Sequence, residues 1–245
     1  MRSLTLVIPA YNEEARIPST LEAISAYLRR GGYAFSEVIV VDDGSVDGTT
    51  GVVESYTKSF DNLRLIRNPG NRGKGYAVRN GMLQARGEWI LFTDADLSTP
   101  ITELDRVFEV VDRERAVIAI GSRALDRKLV RVRQPALREY SGRIFNLAMR
   151  LITGLPFADT QCGFKLYRAD AARMVFRNQI LDGFSFDVED LVLAKHFGFR
   201  TIEVPVEWAN AEGTKVSTLQ GLKSFADLLL IRWYVFTGRY KRDLS

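Results

Sequence analysis

Glu37-Val38-Ile39-Val40-Val41-Asp42-Asp43-Gly44-Ser45 is an apolar run that stops on two acids, a glycine and a serine. Four consecutive β-branched residues read as a strand covered on both faces, the kind found in parallel sheets. The pattern recurs on either side. Leu4–Ala10 runs into Asn12-Glu13-Glu14, and Leu63–Arg67 is broken by Asn68-Pro69-Gly70-Asn71. Trp89–Thr93 runs into Asp94-Ala95-Asp96, and Val117–Gly121 reads as a fifth strand. Helical patterns lie between them. Ile17–Arg30 carries Ile17, Leu21, Ile24 and Leu28 at helical spacing and stops at Gly31-Gly32. Asp47 is placed to cap Thr49–Phe60. Gly75–Ala85 is closed by Gly87, and a helix capped by Ser98 or Thr99, with Pro100 at its start, runs to about Val111. The alternation predicts an α/β domain, a mostly parallel sheet with helices on both faces. Ligands in such sheets bind beyond the carboxyl ends of the strands, where the polar clusters fall.

From Arg123 the pattern changes, so residues 1–122 and 123–245 read as two halves of one continuous domain with no flexible linker. A basic loop is followed by an amphipathic helix over Tyr140–Thr153, a sharp segment Asp159–Lys165, and helices near Asp170–Phe176 and Phe184–Phe197. Thr201–Val206 reads as a strand and Leu219–Thr237 as a closing apolar helix with basic ends.

The 245 residues are 46% hydrophobic and 26% charged, which excludes disorder and fibrous classes. The one cysteine, Cys162, cannot form an intrachain disulfide and fits a reducing compartment. The one histidine, His196, excludes a two-histidine metal site. The apolar run before Pro9 is too short for a signal peptide, and no segment reaches the roughly 18 apolar residues that a spanning helix needs. Net charge is +4, concentrated in two zones. Between Arg123 and Arg150 eight basic residues face Asp126 and Glu139; from Thr214 onward six face Asp227 and Asp243. Two basic zones on an otherwise acidic chain predict an anionic partner.

Asp94 and Asp96 follow an apolar strand, and alternation places both on one side, where as hard oxygen ligands they suit Mg²⁺ or Mn²⁺ shared with a substrate phosphate; the alternative is a solvated acidic turn. Asp42 and Asp43 end a strand and are placed either to accept hydrogen bonds from a base or ribose or to cap the next helix. Asn71-Arg72-Gly73-Lys74-Gly75 is a Gly-rich basic turn opening a helix, a geometry that offers free N–H groups to an anion, but it lacks the Ser or Thr of a Walker A loop. No GxGxxG follows the first strand, which argues against a dinucleotide fold. His196 and Cys162 lack evident partners and are expected to be structural. The basic loop lacks the interleaved aromatics of a nucleic-acid binder.

In this order, Val7-Ile8-Pro9-Ala10-Tyr11-Asn12-Glu13-Glu14, Val40-Val41-Asp42-Asp43-Gly44-Ser45 and Asp94-Ala95-Asp96 resemble glycosyltransferase family 2. Asn71–Gly75, Asp159-Thr160-Gln161-Cys162-Gly163-Phe164-Lys165-Leu166-Tyr167, Phe186-Asp187-Val188-Glu189 and Glu203–Trp208 are similar to its polyprenyl-phosphate branch, whose members pass glucose to dolichyl phosphate. The resemblance implies the GT-A fold, with a Rossmann-like sheet and late amphipathic helices on the acceptor side. It implies an inverting transfer of glucose from a UDP-sugar, UDP-glucose, to a polyprenyl phosphate, with Mg²⁺ or Mn²⁺ held by Asp94 and Asp96. Pro9, Tyr11, Glu13 and Asp43 would frame the nucleotide, Lys74 would lie near it, and Gln161 and Lys165 near the sugar and phosphates. Asp187 and Glu189 would face the acceptor. A phosphate monoester has a second pKa near 6 and needs no general base. Positive charge is needed instead, and Arg123, Arg131, Arg133 and Arg138 would bind the acceptor phosphate. The alternatives are a mannosyltransferase using GDP-mannose, against which Ser98 counts, and a family member acting on a saccharide hydroxyl, for which Asp187 would be the base.

A water-insoluble acceptor implies a peripheral enzyme on the cytoplasmic face of a membrane, without nucleic-acid partners. Phe145, Leu151 and Ile152 on one late helix, and Leu228, Leu229, Ile231, Trp233, Tyr234 and Phe236 on the other, would dip into the headgroups under Arg143, Arg150, Arg232, Arg239, Lys241 and Arg242. The alternative is that these faces pack on the sheet or on a second subunit, and the two readings are compatible for different faces.

Overall fold

The computed structural model describes residues 1–132, 146–209 and 218–241, with the side chains at 132 and 218–225 excepted. The chain builds β1 (Ser3–Ala10), α1 (Ile17–Arg30), β2 (Phe35–Asp42), α2 (Thr49–Thr57), β3 (Leu63–Arg67), α3 (Lys74–Gln84), β4 (Trp89–Thr93), α4 (Glu103–Glu114) and β5 (Ile118–Ser122). A 3₁₀ turn at Arg127–Leu129 and β6 (Val130–Val132) follow, then α5 over 146–153. The chain continues with β7 (Phe164–Arg168), α6 (Ala169–Asn178), α7 (Phe186–His196), β8 (Thr201–Pro205), β9 (Trp208–Ala209) and α8 (Thr218–Phe236).

Seven strands form one sheet in the order β3-β2-β1-β4-β7-β5-β8. β1 pairs in parallel with β2 and β4, β2 with β3, and β5 with β8. Strands from both sides of residue 122 therefore share this sheet. Alternation sets its two faces. Leu4, Leu6 and Ile8 of β1 pack with Leu21 and Ile24 of α1 and Leu104 and Val107 of α4. Val7, Ile39 and Phe92 face the other way, onto Ala77 and Met82 of α3, Val175 of α6 and Leu191 of α7. Each such side chain, fully buried, contributes about 1.5–3 kcal/mol. A one-residue slip would exchange the rows between the two faces, so the packing pins the register.

The expected strands and the first three helices are present within a few residues of their expected ends. Three readings change. α4 begins at Glu103, after Pro100 rather than on it, and neither Ser98 nor Thr99 caps it. Thr99 instead lies beside the Cys162 sulfur, and the Ser98 N–H donates to Asp96. Second, the segment expected to be merely a sharp turn leads into a full strand. β7 lies antiparallel between β4 and β5, with Phe164, Lys165, Leu166 and Tyr167 buried. The third change concerns the late helices. Leu228 and Ile231 are buried against the sheet-side core, with Tyr234 partly so, and the Ser185 hydroxyl donates to Asp227 at 2.7 Å. Leu229, Trp233 and Phe236 are exposed, spaced along one face of α8, as are Leu147 and Leu151 on α5. Of the residues expected at a membrane, then, about half are core. Arg133, Arg138, Arg143, Phe145 and Arg242 lie outside the described residues. No helix among the described residues is long and apolar enough to cross a membrane.

Candidate active site

The loops after β1 and β2 are laced together at the carboxyl edge. Asn12, at φ 55°, donates its N–H to the Ser45 hydroxyl at 2.9 Å and accepts from the Val46 N–H at 2.9 Å. The Glu13 N–H donates to Thr49 at 2.8 Å, and Glu13 also pairs with Arg16 at 2.8 Å. The Gly48 N–H donates to Glu14 at 2.9 Å. Asp47 accepts from the Thr49 N–H at 3.0 Å, yet it lies one residue before the cap of α2, which is Gly48 rather than the expected Asp47. Pro9, Tyr11 and Glu13 are half-buried around this edge.

Asp42 and Asp43 are both buried. Asp42 accepts from the Ser45 N–H and the Thr50 hydroxyl. Asp43 accepts from the Asn68 amide at 2.8 Å, the Gly73 N–H at 2.7 Å and the Arg72 N–H at 3.1 Å. This narrows the reading of the Gly-rich turn: its N–H groups at 72 and 73 are bonded to Asp43, and the turn presents the Lys74 side chain as a cation. The start of α3 is held rigidly. Gly73 sits at φ 104°, a region closed to most L side chains, and a Cβ on Gly75 would come within 2.6 Å of the Leu181 carbonyl.

Asp94 and Asp96 lie just past the end of β4, in a turn closed by the Leu97 N–H to the Asp94 carbonyl at 3.2 Å. Strand alternation therefore does not govern them, and the reason given for their shared face fails. The turn is instead anchored from three sides. Thr20 of α1 donates to the Ala95 carbonyl at 2.6 Å, the Asp94 N–H donates to the Gly163 carbonyl at 3.2 Å, and Asp96 accepts from Ser98 at 2.9 Å. Lys74 crosses from α3 to pair with Asp94 at 2.7 Å, its ammonium 5.3 Å from the Phe92 ring centroid and 5.9 Å from that of Phe184. Burial alone would lower the Lys74 pKa, but attraction from Asp94, Asp187 and Asp96 outweighs it and holds the ammonium above the ordinary lysine value.

Lys165, expected near sugar and phosphates, has no exposed surface. Its three protons go to the Asp187 carboxylate at 2.6 Å, the Asp187 carbonyl at 2.9 Å and Asp190 at 3.2 Å. The ammonium is therefore enclosed by Asp187 and Asp190 rather than presented at the surface. Asp190 and Tyr167, which donates to Asp190 at 2.6 Å, complete this cluster and went unnoticed in the sequence. A strand with a lysine at its second position and an aspartate three residues past Asp187 carry no sign of contact until the fold joins them. Glu189 likewise turns inward rather than toward an acceptor, accepting from the Ile180 and Leu181 N–H groups and the Tyr240 hydroxyl.

Arg123 is only partly available to a ligand. Its guanidinium forms a fork onto Asp159, Nε at 2.6 Å and Nη2 at 2.7 Å, and stacks 5.3 Å from the Trp208 ring centroid. Burial opposes ionisation of Asp159, yet the Arg123 charge outweighs it and holds that carboxyl below its usual range. Glu203 receives the Ala158 and Asp159 N–H groups, so β8 supports the same corner. Arg131 is exposed and pairs with Glu207 at 2.6 Å, a surface pair of small net worth that an anion can displace. Gln161 is exposed at the rim. Cys162 is buried, its thiol pushed up to about 12 by burial and then by Asp159, which rules out a resting thiolate. His196 is exposed on the last turn of α7 with its ring against Phe197.

A mostly parallel sheet with one reversed strand, and a carboxylate pair just beyond β4, is the GT-A arrangement of glycosyltransferases. The chain belongs to glycosyl transferase family 2, whose family model matches residues 5–176. It is 36% identical to a dolichyl-phosphate beta-glucosyltransferase of Trichomonas vaginalis over 93% of this chain and 72% of that one. The human protein of that name is 35% identical over 99% and 78%, and the Drosophila melanogaster one 38% over 97% and 77%. Among solved structures, glucosyl-3-phosphoglycerate synthase from Mycobacterium tuberculosis, in complex with Mn²⁺, UDP and phosphoglyceric acid, matches with a TM-score of 0.67 at 18% identity, over 95% of this chain and 78% of that one. Mannosyl-3-phosphoglycerate synthase from Rubrobacter xylanophilus matches at 0.68 and 18% identity over 100% and 77%. These two share the fold.

Proposed function

We propose that this glycosyltransferase moves glucose from UDP-glucose to a dolichyl-type polyprenyl phosphate with inversion at the anomeric carbon. The observation that carries the reading is the 31–38% identity, over nearly the whole chain, to dolichyl-phosphate beta-glucosyltransferases. Two features of the site support it. Asp187, the base a hydroxyl acceptor would call on, is buried with a carboxylate oxygen bonded to the Lys165 ammonium at 2.6 Å. A phosphate acceptor needs none, because its second pKa of about 6 leaves it largely dianionic at neutral pH. A saccharide hydroxyl would need a base.

Asp94 and Asp96 fit a divalent metal by donor type, both being hard oxygen ligands. Among the described residues no third Asp, Glu, His or Cys gathers with them. Mg²⁺ or Mn²⁺ there would supply Lewis acidity toward the departing UDP. The chain's own residues do the rest. Pro9, Tyr11, Glu13 and Asp43 frame the nucleoside, Lys74 meets the diphosphate, and Gln161 lies at the sugar. Arg123 and Arg131, with Arg133 and Arg138, hold the acceptor phosphate, and the Asp187 charge helps keep the Lys74 ammonium protonated.

The test is a panel of radiolabelled nucleotide sugars with polyprenyl phosphate, followed by organic extraction. Label is expected in the lipid phase from UDP-glucose, and EDTA or Asp96→Asn is expected to reduce it at least a hundredfold. Labelling from GDP-mannose alone would make the mannosyl alternative correct.

A lipid acceptor brings the enzyme to a membrane surface, and we place its exposed stripe Leu229, Trp233 and Phe236, with Leu147 and Leu151, against the cytoplasmic leaflet. Exposed Arg150, Arg232, Arg239 and Lys241 suit anionic headgroups at about 1 kcal/mol each. Flotation with anionic vesicles is expected at low salt, and to be lost at high salt or on Leu229→Ser with Trp233→Ser. An enzyme active on a short-chain acceptor that never floats would refute the docking.

A further inference from the structure

We propose that Lys74 is the internal counter-cation of Asp94, passed to the donor's diphosphate when a divalent metal takes the carboxylate. Metal and nucleotide would then bind as a linked pair. The inference rests on the metal and UDP parts of the reading above, and on neither the sugar nor the lipid.

Three observations carry it. First, the Lys74 ammonium is bonded to Asp94 Oδ1 at 2.7 Å, while the other side of that carboxylate lies against Gly163, where a Cβ would overlap it. A cation approaching Asp94 therefore competes with the ammonium. Second, the ammonium lies in the field of three carboxylates, Asp94, Asp187 and Asp96. With it in place the cluster is partly neutralised, and a divalent cation arriving alone meets a like charge. Take the ammonium away and the same carboxylates attract the cation more strongly. Third, part of the backbone that opens α3 is already engaged. Its N–H groups at 72 and 73 are bonded to Asp43, and the Tyr76 N–H to the Asp182 carbonyl at 3.2 Å. The charged group this turn presents is the Lys74 side chain, 21% exposed, on a flexible four-carbon stem rooted in a fixed helix start. The ammonium can leave Asp94 for a phosphate oxygen by side-chain rotation alone. A diphosphate supplies negative charge for both cations, so each ligand raises the affinity for the other by the same factor.

The experiment measures Mn²⁺ binding by electron paramagnetic resonance and UDP binding by calorimetry, each alone and with the other saturating. In the wild type, Mn²⁺ alone is expected to bind weakly and at least tenfold more tightly with UDP. Lys74→Met is expected to bind Mn²⁺ alone at least tenfold more tightly than wild type and UDP at least tenfold more weakly, with the coupling factor falling toward one. Lys74→Arg, which keeps the charge, is expected to keep weak binding of Mn²⁺ alone. Opposite changes for the two ligands cannot come from misfolding, which weakens both. Lys74→Met binding Mn²⁺ no more tightly than wild type, or UDP equally well, overturns the proposal. So does a wild type that binds neither probe. A wild type that binds both yet makes no glucolipid overturns only the proposed function.

Discussion

Gly163→Ala is expected to lower glycosyl transfer by about a hundredfold while leaving the chain folded. The new Cβ would lie 2.7 Å from Asp94 Oδ1 and closer still to Cγ and Oδ2, so the carboxylate must move. It cannot do so freely. Its N–H is bonded to the Gly163 carbonyl and the adjacent Ala95 carbonyl is held by Thr20, so the displacement falls on the side chain and its pairing with Lys74. A shift of roughly 1 Å in a positioning group costs about 10²-fold in rate. The Gly163 φ is not in the left-handed region, so alanine adds no backbone strain, and the fold should suffer little. The measurement is turnover per folded molecule, with circular dichroism and the thermal midpoint as controls. Turnover within threefold of wild type would show that Asp94 needs no fixed position.

Lys165→Met is expected to cost about 3–5 kcal/mol of stability, the usual result of leaving one side of a buried ion pair uncompensated. Asp187 and Asp190 are both buried, and the ammonium is the cation bonded to each. The cost should depend on pH. Burial pushes the Asp190 carboxyl up from its ordinary 3.8 to about 7, against the pull of Lys165 and with a further push from Asp187. The folded chain therefore holds a proton there that the unfolded chain has released. Stability from this group is complete below about pH 4 and is lost as pH rises through about 7. Removing Lys165 removes the pull that favours ionised Asp190, so that carboxyl rises further and the loss extends to higher pH. Urea unfolding at pH 5 and pH 8 should show a larger deficit at pH 8. An equal deficit at both values would mean that Asp190 does not titrate as a buried group paired with Lys165.

The parts of this fold that were legible are those where neighbours in sequence do the work. β2 could be read because Val38, Ile39, Val40 and Val41 alternate onto two apolar layers, and no polar residue interrupts them. α1 could be read because Ile17, Leu21 and Ile24 recur at the helical period. The site's place at the carboxyl edge followed from the order of those elements. β7 escaped because Lys165 at its second position argues against a central strand, and its compensation comes from Asp187 and Asp190, more than twenty residues downstream. The α4 start was misplaced because Pro100 has the chemistry of a helix start, while the turn through Thr102 delays the first helical bond.

The sequence by itself determined the class of the protein and which residues gather at its edge. Apolar periodicity and strand-end acids are local signals, and local signals survive without a fold. Tertiary structure alone decided what each residue does there. It bonded Asp43 to the Lys74 turn, sealed Lys165 in the core, set Arg123 on Asp159, and split α8 into a packed face and an exposed one. The reason is that charge and hydrogen-bond partners are fixed by distances of about 3 Å, and such distances between residues far apart in the chain exist only after folding.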